Sequence, residues 1–158
     1  MNDLRIGHGY DIHRLQQGGR LMMGGVVVAE GISAVAHSDG DIVIHAIVDA
    51  LLGAAGLGDI GQHFPDSELT WKNASSKVFL EHTMKLLCDA GWRVGNCDVS
   101  VLAEKPKLKP FNAQMIANLG EILKAPVNIK AGTNEGCGEI GRGEAVAAHA
   151  VVLIVGER

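Results

Sequence analysis

The sequence predicts an α+β fold in which helices pack on one face of a mixed sheet. Stretches with strand character alternate with stretches of helical periodicity, in the order strands, helix, helix, strand, helix, strand, strand. The first of these helices, which ends near Ala55, is apolar almost all round, and such a helix is buried. The chain has 158 residues, which is enough for a real core, so we expect a single domain over residues 1–158.

The N-terminal stretch predicts short strands joined by glycine turns. The first strand covers Leu4 to His13, and in an extended chain Asp11 and His13 point to the same face. A turn is expected at residues 17–19. The remaining elements expected before the first helix are two short strands, over residues 21–23 and 26–28, and a loop over residues 30–36.

The buried helix carries one polar stripe. Its polar residues Asp41, His45 and Asp49 recur every four positions and therefore share a face. Ser38 or Asp39 is expected to cap its start. From this helix alone, core polar groups bonded to the backbone are the favoured explanation of the stripe, and a metal ligand at His45 is the alternative.

The rest of the chain predicts helices and strands separated by loops with distinct compositions. Glycine-rich loops cover residues 57–66 and 132–144, and a basic, proline-containing loop covers residues 103–110. The expected elements are helices from Ser75 or Ser76 to about Ala90 and over residues 110–124, with strands over residues 92–102, 127–131 and 145–155.

Composition excludes several classes of function. The net charge is −4 and no basic tract occurs, which argues against a non-specific nucleic-acid binder. The longest apolar run, residues 145–155, is too short to cross a membrane. Three widely spaced cysteines predict reduced thiols rather than a disulfide framework. No signal peptide is apparent, so we expect a cytoplasmic protein, or one of the plastid stroma if a transit peptide was removed.

Two sets of residues predict metal chemistry. Asp11, His13 and His45 provide one carboxylate and two imidazoles, the ligand set of an open zinc site. Acidic residues in the glycine-rich loops, Asp59 and Glu135, favour magnesium or manganese held together with substrate phosphates. Two metals with glycine-rich loops indicate diphosphate chemistry, in which catalysis is mainly positioning and charge neutralisation.

Six segments, in order along nearly the whole chain, carry a resemblance to a known family. They are Gly7-His8-Gly9-Tyr10-Asp11-Ile12-His13, Ala36-His37-Ser38-Asp39-Gly40-Asp41, Ala50-Leu51-Leu52-Gly53-Ala54-Ala55, Gly58-Asp59-Ile60-Gly61, Phe64-Pro65-Asp66 and Gly141-Arg142-Gly143-Glu144. Together they resemble the 2-C-methyl-D-erythritol 2,4-cyclodiphosphate synthases of the non-mevalonate isoprenoid pathway. The resemblance implies conversion of 4-diphosphocytidyl-2-C-methyl-D-erythritol 2-phosphate to the 2,4-cyclodiphosphate, with release of CMP. It also implies a ferredoxin-like subunit and a homotrimer with active sites between subunits.

The resemblance also implies roles for individual residues. Asp11, His13 and His45 match zinc ligands, and Glu135 matches the residue that holds magnesium or manganese on the diphosphate. His37 and Thr133 match positions that stabilise the transition state. The expected substrate contacts are Asp11, His13, His37, Ser38, Asp59, Ile60, Gly61, Phe64, Pro65, Asp66, Ala103, Lys107, Leu108, Thr133, Asn134, Glu135 and Arg142, of which Ala103, Lys107 and Leu108 match the cytidine-recognition loop.

The chain departs from the family pattern around Glu135. Many relatives have three threonines before this glutamate, whereas here Gly132 and Asn134 flank Thr133. Relatives often carry an aromatic residue that lines a cavity on the trimer axis, together with an arginine at the position of Arg142. Here the arginine is kept and the aromatic residue is absent. We therefore hypothesise a more polar cavity that binds isoprenoid diphosphates weakly.

Two other functions use the same residues. A metal-dependent phosphohydrolase would have the same ligands but activate water, and would release linear phosphate. A non-catalytic oligomer that binds metal or nucleotide would not turn over the diphosphocytidyl substrate.

Overall fold

The computed structural model describes residues 3–156 and confirms a mixed α+β fold. A single sheet of five strands is present within these residues, with helices packed against it. The strands and helices are β1 (Leu4–Met23), β2 (Val26–Ala34), α1 (Ile42–Ala55), α2 (Ile60–His63), α3 (Ser76–Asp89), β3 (Trp92–Leu102), α4 (Asn112–Leu123), β4 (Val127–Gly132), α5 (Gly138–Gly141) and β5 (Ala145–Gly156).

The sheet has the strand order β2-β1-β5-β3-β4. The β3–β4 pair is parallel and is connected through α4, whereas the other pairs are antiparallel. β1 and β3 therefore run in the same direction with β5 inserted between them. This order brings the middle of β1 level with the C-terminal ends of β3 and β4, because Ile12 and Leu102 both pair with Ala147, and Leu102 also pairs with Gly132.

Two glycines of β1 allow α1 to lie directly on the sheet. A Cβ atom at Gly7 would lie 1.9 Å from the carbonyl oxygen of Ala50, and one at Gly9 would lie 1.9 Å from that of Ala46. Such distances leave no room for any side chain, so the backbones of β1 and α1 are in contact. Since side chains alternate along a strand, Asp11 and His13 share the helix-facing side with these glycines.

The main helices and strands follow the predicted order, but the short helices α2 and α5 lie in segments expected to be glycine-rich loops, and three expected boundaries are wrong. β1 continues without a break to Met23, and the expected turn at residues 17–19 is an irregularity within it, with a register shift between Gln17 and Arg20. β2 extends to Ala34 through the expected loop. The cap of α1 is Asp41 rather than Ser38 or Asp39. No helix among residues 3–156 is long and apolar enough to span a membrane.

Candidate metal and substrate site

The three predicted metal ligands converge where β1 meets α1. Oδ2 of Asp11 lies 2.8 Å from Nε2 of His13 and 3.1 Å from Nδ1 of His45, and these two nitrogens are 3.2 Å apart. All three residues are half-buried. Zinc bonds of about 2.0–2.1 Å at tetrahedral angles place neighbouring ligand atoms roughly 3.3 Å apart. The three atoms therefore already have nearly the spacing of three corners of a zinc coordination sphere.

The outward-facing nitrogens of both imidazoles have partners in the protein. Nδ1 of His13 lies 3.2 Å from the carbonyl oxygen of Val35, which can only accept, so this nitrogen donates and Nε2 faces Asp11. Nε2 of His45 lies 2.9 Å from Oγ of Ser76 and 3.1 Å from Oγ of Ser38. With their outer nitrogens occupied in this way, both rings present their inner nitrogens to an ion.

The electrostatics of the cluster also favour a cation between these groups. Burial by itself raises the pKa of Asp11, but hydrogen bonds and charge interactions with His13 and His45 outweigh it and hold this pKa well below its usual value. Burial lowers the pKa of His13, yet the hydrogen bond and charge of Asp11 reverse the effect and raise it above its usual value. Asp11 is therefore a carboxylate at neutral pH, and its negative charge attracts either a proton or a metal ion to the cluster.

The acids that flank His45 in the α1 stripe fix the surrounding backbone. Asp41 is fully buried and accepts hydrogen bonds from the backbone N–H groups of Gly24, Gly25 and Ile44. Burial raises the pKa of Asp41, although these hydrogen bonds partly offset the effect. Asp49 accepts from the N–H of Ile60, 3.1 Å away, and so ties the start of α2 to α1. Both acids thus hold chain segments next to the cluster, and neither belongs to it.

The cluster opens into a cavity of about 410 Å³. Nε2 of His37 and Nε1 of Trp71 are buried at its wall and have no hydrogen-bond partner among residues 3–156. A polar atom in this state costs free energy unless a ligand or water satisfies it. The cavity is lined by His13, Val35, Ala36, His37, Ser38, His45, Ile60, Gly61, Phe64, Pro65, Asp66, Trp71 and Phe79.

Most of the substrate contacts expected from the first half of the chain lie in this lining; the exceptions are Asp11, which belongs to the metal cluster, and Asp59. Its carboxylate caps α2, accepting from the backbone N–H and the side-chain amide of Gln62 at 3.0 and 2.6 Å. Sequence reasoning gave no site role to three residues that the structure brings to the site. Ser76 and Trp71 join the site only through the fold, and Asp39 contacts Ser76 rather than capping α1.

A second group of expected site residues lies at the ends of β3 and β4. The backbone N–H of Ala103 donates to the carbonyl of Gly132, and that of Asn134 donates to the Glu104 carboxylate at 2.9 Å. Oγ1 of Thr133 lies 3.2 Å from Oε1 of Glu135. In the loop after β3, the side chains of Ala103 and Leu108 are buried, whereas Lys107 is exposed.

The structure does not bring this second group to the metal cluster. The strand pairings put β5 and β3 between β1 and β4, so three strand spacings of about 4.8 Å, roughly 14 Å in all, separate the two groups. Ions that act together on one phosphate group are only about 3.5–4 Å apart. Glu135 and the Asp11–His13–His45 cluster of one chain are therefore too far apart to share a diphosphate.

Arg142 lies in neither group. It forms a two-pronged ion pair with Glu144, with N–O distances of 3.0 and 3.1 Å. Both residues line an open concavity of about 1170 Å³ whose other charged residues include Arg14, Lys105 and Glu139. This larger concavity does not contain any of the three clustered ligands.

Comparisons with known proteins match one kind of protein over nearly the whole chain. The sequence model of the YgbB family matches residues 4–155. A curated relative from Thioalkalivibrio sulfidiphilus, named 2-C-methyl-D-erythritol 2,4-cyclodiphosphate synthase, is 50% identical over 157 residues, which are 98% of each chain. The CDP complex of IspF from Plasmodium falciparum is 34% identical, with a TM-score of 0.86 over 100% of this chain and 99% of that one. A solved 2C-methyl-D-erythritol-2,4-cyclodiphosphate synthase in its CDP-bound form is 37% identical, with a TM-score of 0.87 over 95% of this chain and 99% of that one.

Proposed function

The chain belongs to the YgbB family, and we infer that its reaction is the one for which its relatives are named. It is a lyase that converts 4-diphosphocytidyl-2-C-methyl-D-erythritol 2-phosphate to 2-C-methyl-D-erythritol 2,4-cyclodiphosphate and CMP in the non-mevalonate isoprenoid pathway. The observation that carries this conclusion is the convergence of Asp11, His13 and His45 at a cavity in a chain that is about half identical to these synthases over its full length.

We propose zinc as the ion held by Asp11, His13 and His45. The two imidazoles, the carboxylate and the spacing of their ligand atoms fit zinc, which these three residues would hold beside the cavity that His13 and His45 line. We propose magnesium or manganese for Glu135, because an exposed carboxylate with substrate phosphate oxygens forms a hard, oxygen-only ligand set. The bound ions supply positive charge that offsets the repulsion between phosphate groups.

The proposed mechanism follows from charge. The substrate's 2-phosphate is already anionic at neutral pH, so one of its oxygens attacks the β-phosphorus without a strong base. The new P–O bond closes the ring as the bond to CMP breaks, and CMP leaves as a phosphate anion. His37 and Thr133 are proposed as catalytic residues that donate hydrogen bonds to the charge developing on the phosphorus oxygens. The unpaired Nε2 of His37 supports this role, because a phosphate oxygen would satisfy it.

The cavity side of the chain is proposed to hold the methylerythritol phosphate end of the substrate. Ser38 and Asp66 offer polar side chains, and Gly61 leaves its backbone accessible to a ligand. Ile60, Phe64 and Pro65 form the apolar part of the wall and limit the access of water. Because the Asp59 carboxylate already caps α2, it would contact the substrate only through the oxygen lone pairs that are not used in the cap.

The loop after β3 is proposed to recognise cytidine. The side chains of Ala103 and Leu108 are buried, so these residues would contact the base through their backbone groups. Lys107 and Asn134 are proposed to contact the phosphates, since Lys107 projects an exposed ammonium group. The CDP complexes among the related structures support a cytidine nucleotide as part of the ligand. Arg142, with its guanidinium paired to Glu144, is proposed to bind phosphate only after that pair opens.

The separation of the two groups supports an active site shared between chains. We propose a homotrimer in which the metal cluster of one chain faces the Glu135 and Thr133 loop of the next. The sheet face opposite α1 is suited to such contacts, because Ile6, Tyr10 and Val151 are exposed on it. We further propose a ferredoxin-like subunit, since β1 and β3 run parallel with β5 between them, as in a split βαβ unit.

The direct test is incubation of the purified, zinc-loaded chain with the diphosphocytidyl substrate and magnesium, followed by phosphorus NMR. We expect equal amounts of CMP and a cyclic diphosphate. Release of linear phosphate would instead identify a phosphohydrolase, and absence of turnover in the presence of both metals would contradict an enzyme of either kind.

A further inference from the structure

Behind His45, on the side away from the cluster, lies a short hydrogen-bonded chain that ends in a carboxylate. Nε2 of His45 lies 2.9 Å from Oγ of Ser76, and that hydroxyl is hydrogen-bonded to Oδ1 of Asp39. The backbone N–H of Ser76 donates to Oδ2 of the same carboxylate at 3.0 Å. Ser76 is fully buried at the first position of α3, whereas Asp39 belongs to the loop before α1. The three residues thus connect two separate elements to one metal ligand.

The Asp39 carboxylate, at the end of this series of hydrogen bonds, determines which atom donates in each of them. An ionised carboxylate only accepts, so the hydroxyl of Ser76 must donate to Asp39. The Ser76 oxygen is then left with lone pairs alone toward His45, and Nε2 of His45 must carry the ring proton. A neutral imidazole has one N–H, so Nδ1 presents its lone pair to Asp11 and His13.

We propose that Asp39 and Ser76 are positioning residues that hold His45 in the tautomer and orientation required to bind the metal ion. This inference rests on the proposed ligand set, but it adds two residues that do not touch the ion. It also gives a reason for the burial of Ser76. If water could replace this hydroxyl as the partner of His45, the position of the ring proton would no longer be fixed.

The same chain of bonds separates the roles of two neighbouring serines. Oγ of Ser38 is also within 3.1 Å of Nε2 of His45, but its other bond is to the backbone N–H of Gly40 at 3.3 Å. Because Ser76 already accepts the ring proton and is fixed by Asp39, the hydroxyl hydrogen of Ser38 stays available at the cavity wall. Substrate binding to Ser38 then leaves His45 in place.

The experiment compares Ser76→Ala and Asp39→Asn with Ser75→Ala as the matched control. Ser75 precedes α3, is exposed, and makes no side-chain cap hydrogen bond, so its loss tests a serine deletion at the same helix end. Zinc affinity is measured by competition with a chelator, and nitrogen-15 NMR of the histidine rings in the zinc-loaded protein reports which nitrogen carries the proton. We expect zinc affinity to fall about 10- to 100-fold in Ser76→Ala and in Asp39→Asn, with little change in Ser75→Ala.

The NMR measurement separates positioning from general destabilisation. Wild type and Ser75→Ala are expected to show only the Nε2–H form of His45, and Ser76→Ala a weakened or exchanging Nε2–H signal. If Ser76→Ala fails to fold, Asp39→Asn carries the test, because it leaves the buried serine in place. Affinity within twofold of Ser75→Ala and an unchanged ring signal in the folded variants would overturn the inference. If His45→Ala binds zinc as tightly as wild type, the proposed ligand set itself is wrong.

Discussion

Burial has opposite chemical consequences for two side chains of this protein. Nε2 of His37 is buried at the wall of the cavity without a partner among residues 3–156, so a ligand atom can take that place. Cys97 is buried on β3 within the apolar core, where burial raises the pKa of its thiol to about 12. Burial thus leaves Nε2 of His37 free to bind a ligand atom, and it makes the thiol of Cys97 unreactive.

We expect His37→Ala to lower kcat by about 100- to 1000-fold, because loss of one donor to a developing phosphate charge has that order of effect. The KM should change much less, since the bond strengthens in the transition state. Steady-state kinetics of CMP release measures both constants. His37→Gln keeps a side-chain donor and should lose less; equal losses in the two variants would contradict a donor role.

Alkylation should distinguish the cysteines. At pH 8 the thiol of Cys97 stays protonated and inaccessible, so iodoacetamide should modify the exposed Cys88 and leave Cys97 unmodified. Peptide mass spectrometry of the labelled protein reports each site. Prior unfolding in denaturant should make Cys97 reactive, and this serves as the control. Equal labelling rates of Cys88 and Cys97 in the native protein would contradict burial of the thiol.

At the scale of elements, the close contact of β1 with α1 places all three proposed zinc ligands. Asp11 and His13 come from the strand and His45 from the helix, and the helix lies close enough only because Gly9 and Gly7 have no side chains. The geometry of the metal cluster therefore depends on residues that carry no functional group at all.

We expect Gly9→Ala to prevent native packing, because its Cβ would lie 1.9 Å from the Ala46 carbonyl oxygen. The expected loss is more than about 4 kcal/mol of unfolding free energy, beyond the usual range for point substitutions. Gly53→Ala is the control on α1 itself: nothing lies within 4 Å of a Cβ there, so this variant should gain about 0.5–1 kcal/mol. Urea denaturation followed by circular dichroism gives both values, and a native-like Gly9→Ala would contradict the packing.

The elements also show how far local sequence patterns extend. Alternation along β1 predicted one face for Asp11 and His13, whereas the four-residue spacing on α1 alone favoured ordinary core polar groups. Only the three residue types taken together predicted a metal site, and the fold brings them together. The cap of α1 was not predictable, since Ser38, Asp39 and Asp41 all have capping chemistry. Hydrogen bonds to Asp41 from the distant N–H groups of Gly24 and Gly25 distinguish it only in the folded chain.

The length of β1 and the role of Ser76 were missed for related reasons. Gly18 and Gly19 have φ values of +85° and +78°, and such glycines mark a turn in most sequences. Here they form an irregularity inside a continuing strand, which only pairing with β2 reveals. Ser76 resembles any serine at a helix start, and its contact with His45 crosses 31 positions of sequence.

At the scale of the whole molecule, charged side chains line part of the second concavity. Arg142 is paired with Glu144, and Glu139 and Lys105 add further charge to the lining. We expect geranyl diphosphate to bind weakly, without saturation at micromolar concentration in isothermal titration calorimetry. Arg142→Ala should change this binding little. A tight, saturable titration would contradict the hypothesis of a polar cavity.

If each active site is shared between two chains, two inactive variants should restore activity when they are mixed. His45→Ala removes the metal side of a site, and Glu135→Ala removes the diphosphate side, so trimers of either variant alone should be inactive. In trimers that form from an equal mixture of the two chains, a site is complete where an intact His45 faces an intact Glu135. With random assembly, half of the sites have an intact His45 and, independently, half have an intact Glu135. About a quarter of the sites are therefore complete, and about a quarter of wild-type activity should return.

The mixing experiment co-refolds the two variants and measures CMP release against each variant refolded alone. The matched control mixes His45→Ala with Asp11→Ala, which both damage the metal side. No pair of these chains completes a site, so that mixture should stay inactive. Recovery with Glu135→Ala but not with Asp11→Ala requires two chains in one site. Equal inactivity of both mixtures would place Glu135 and His45 of the same chain in one site, against the roughly 14 Å that three strand spacings put between them.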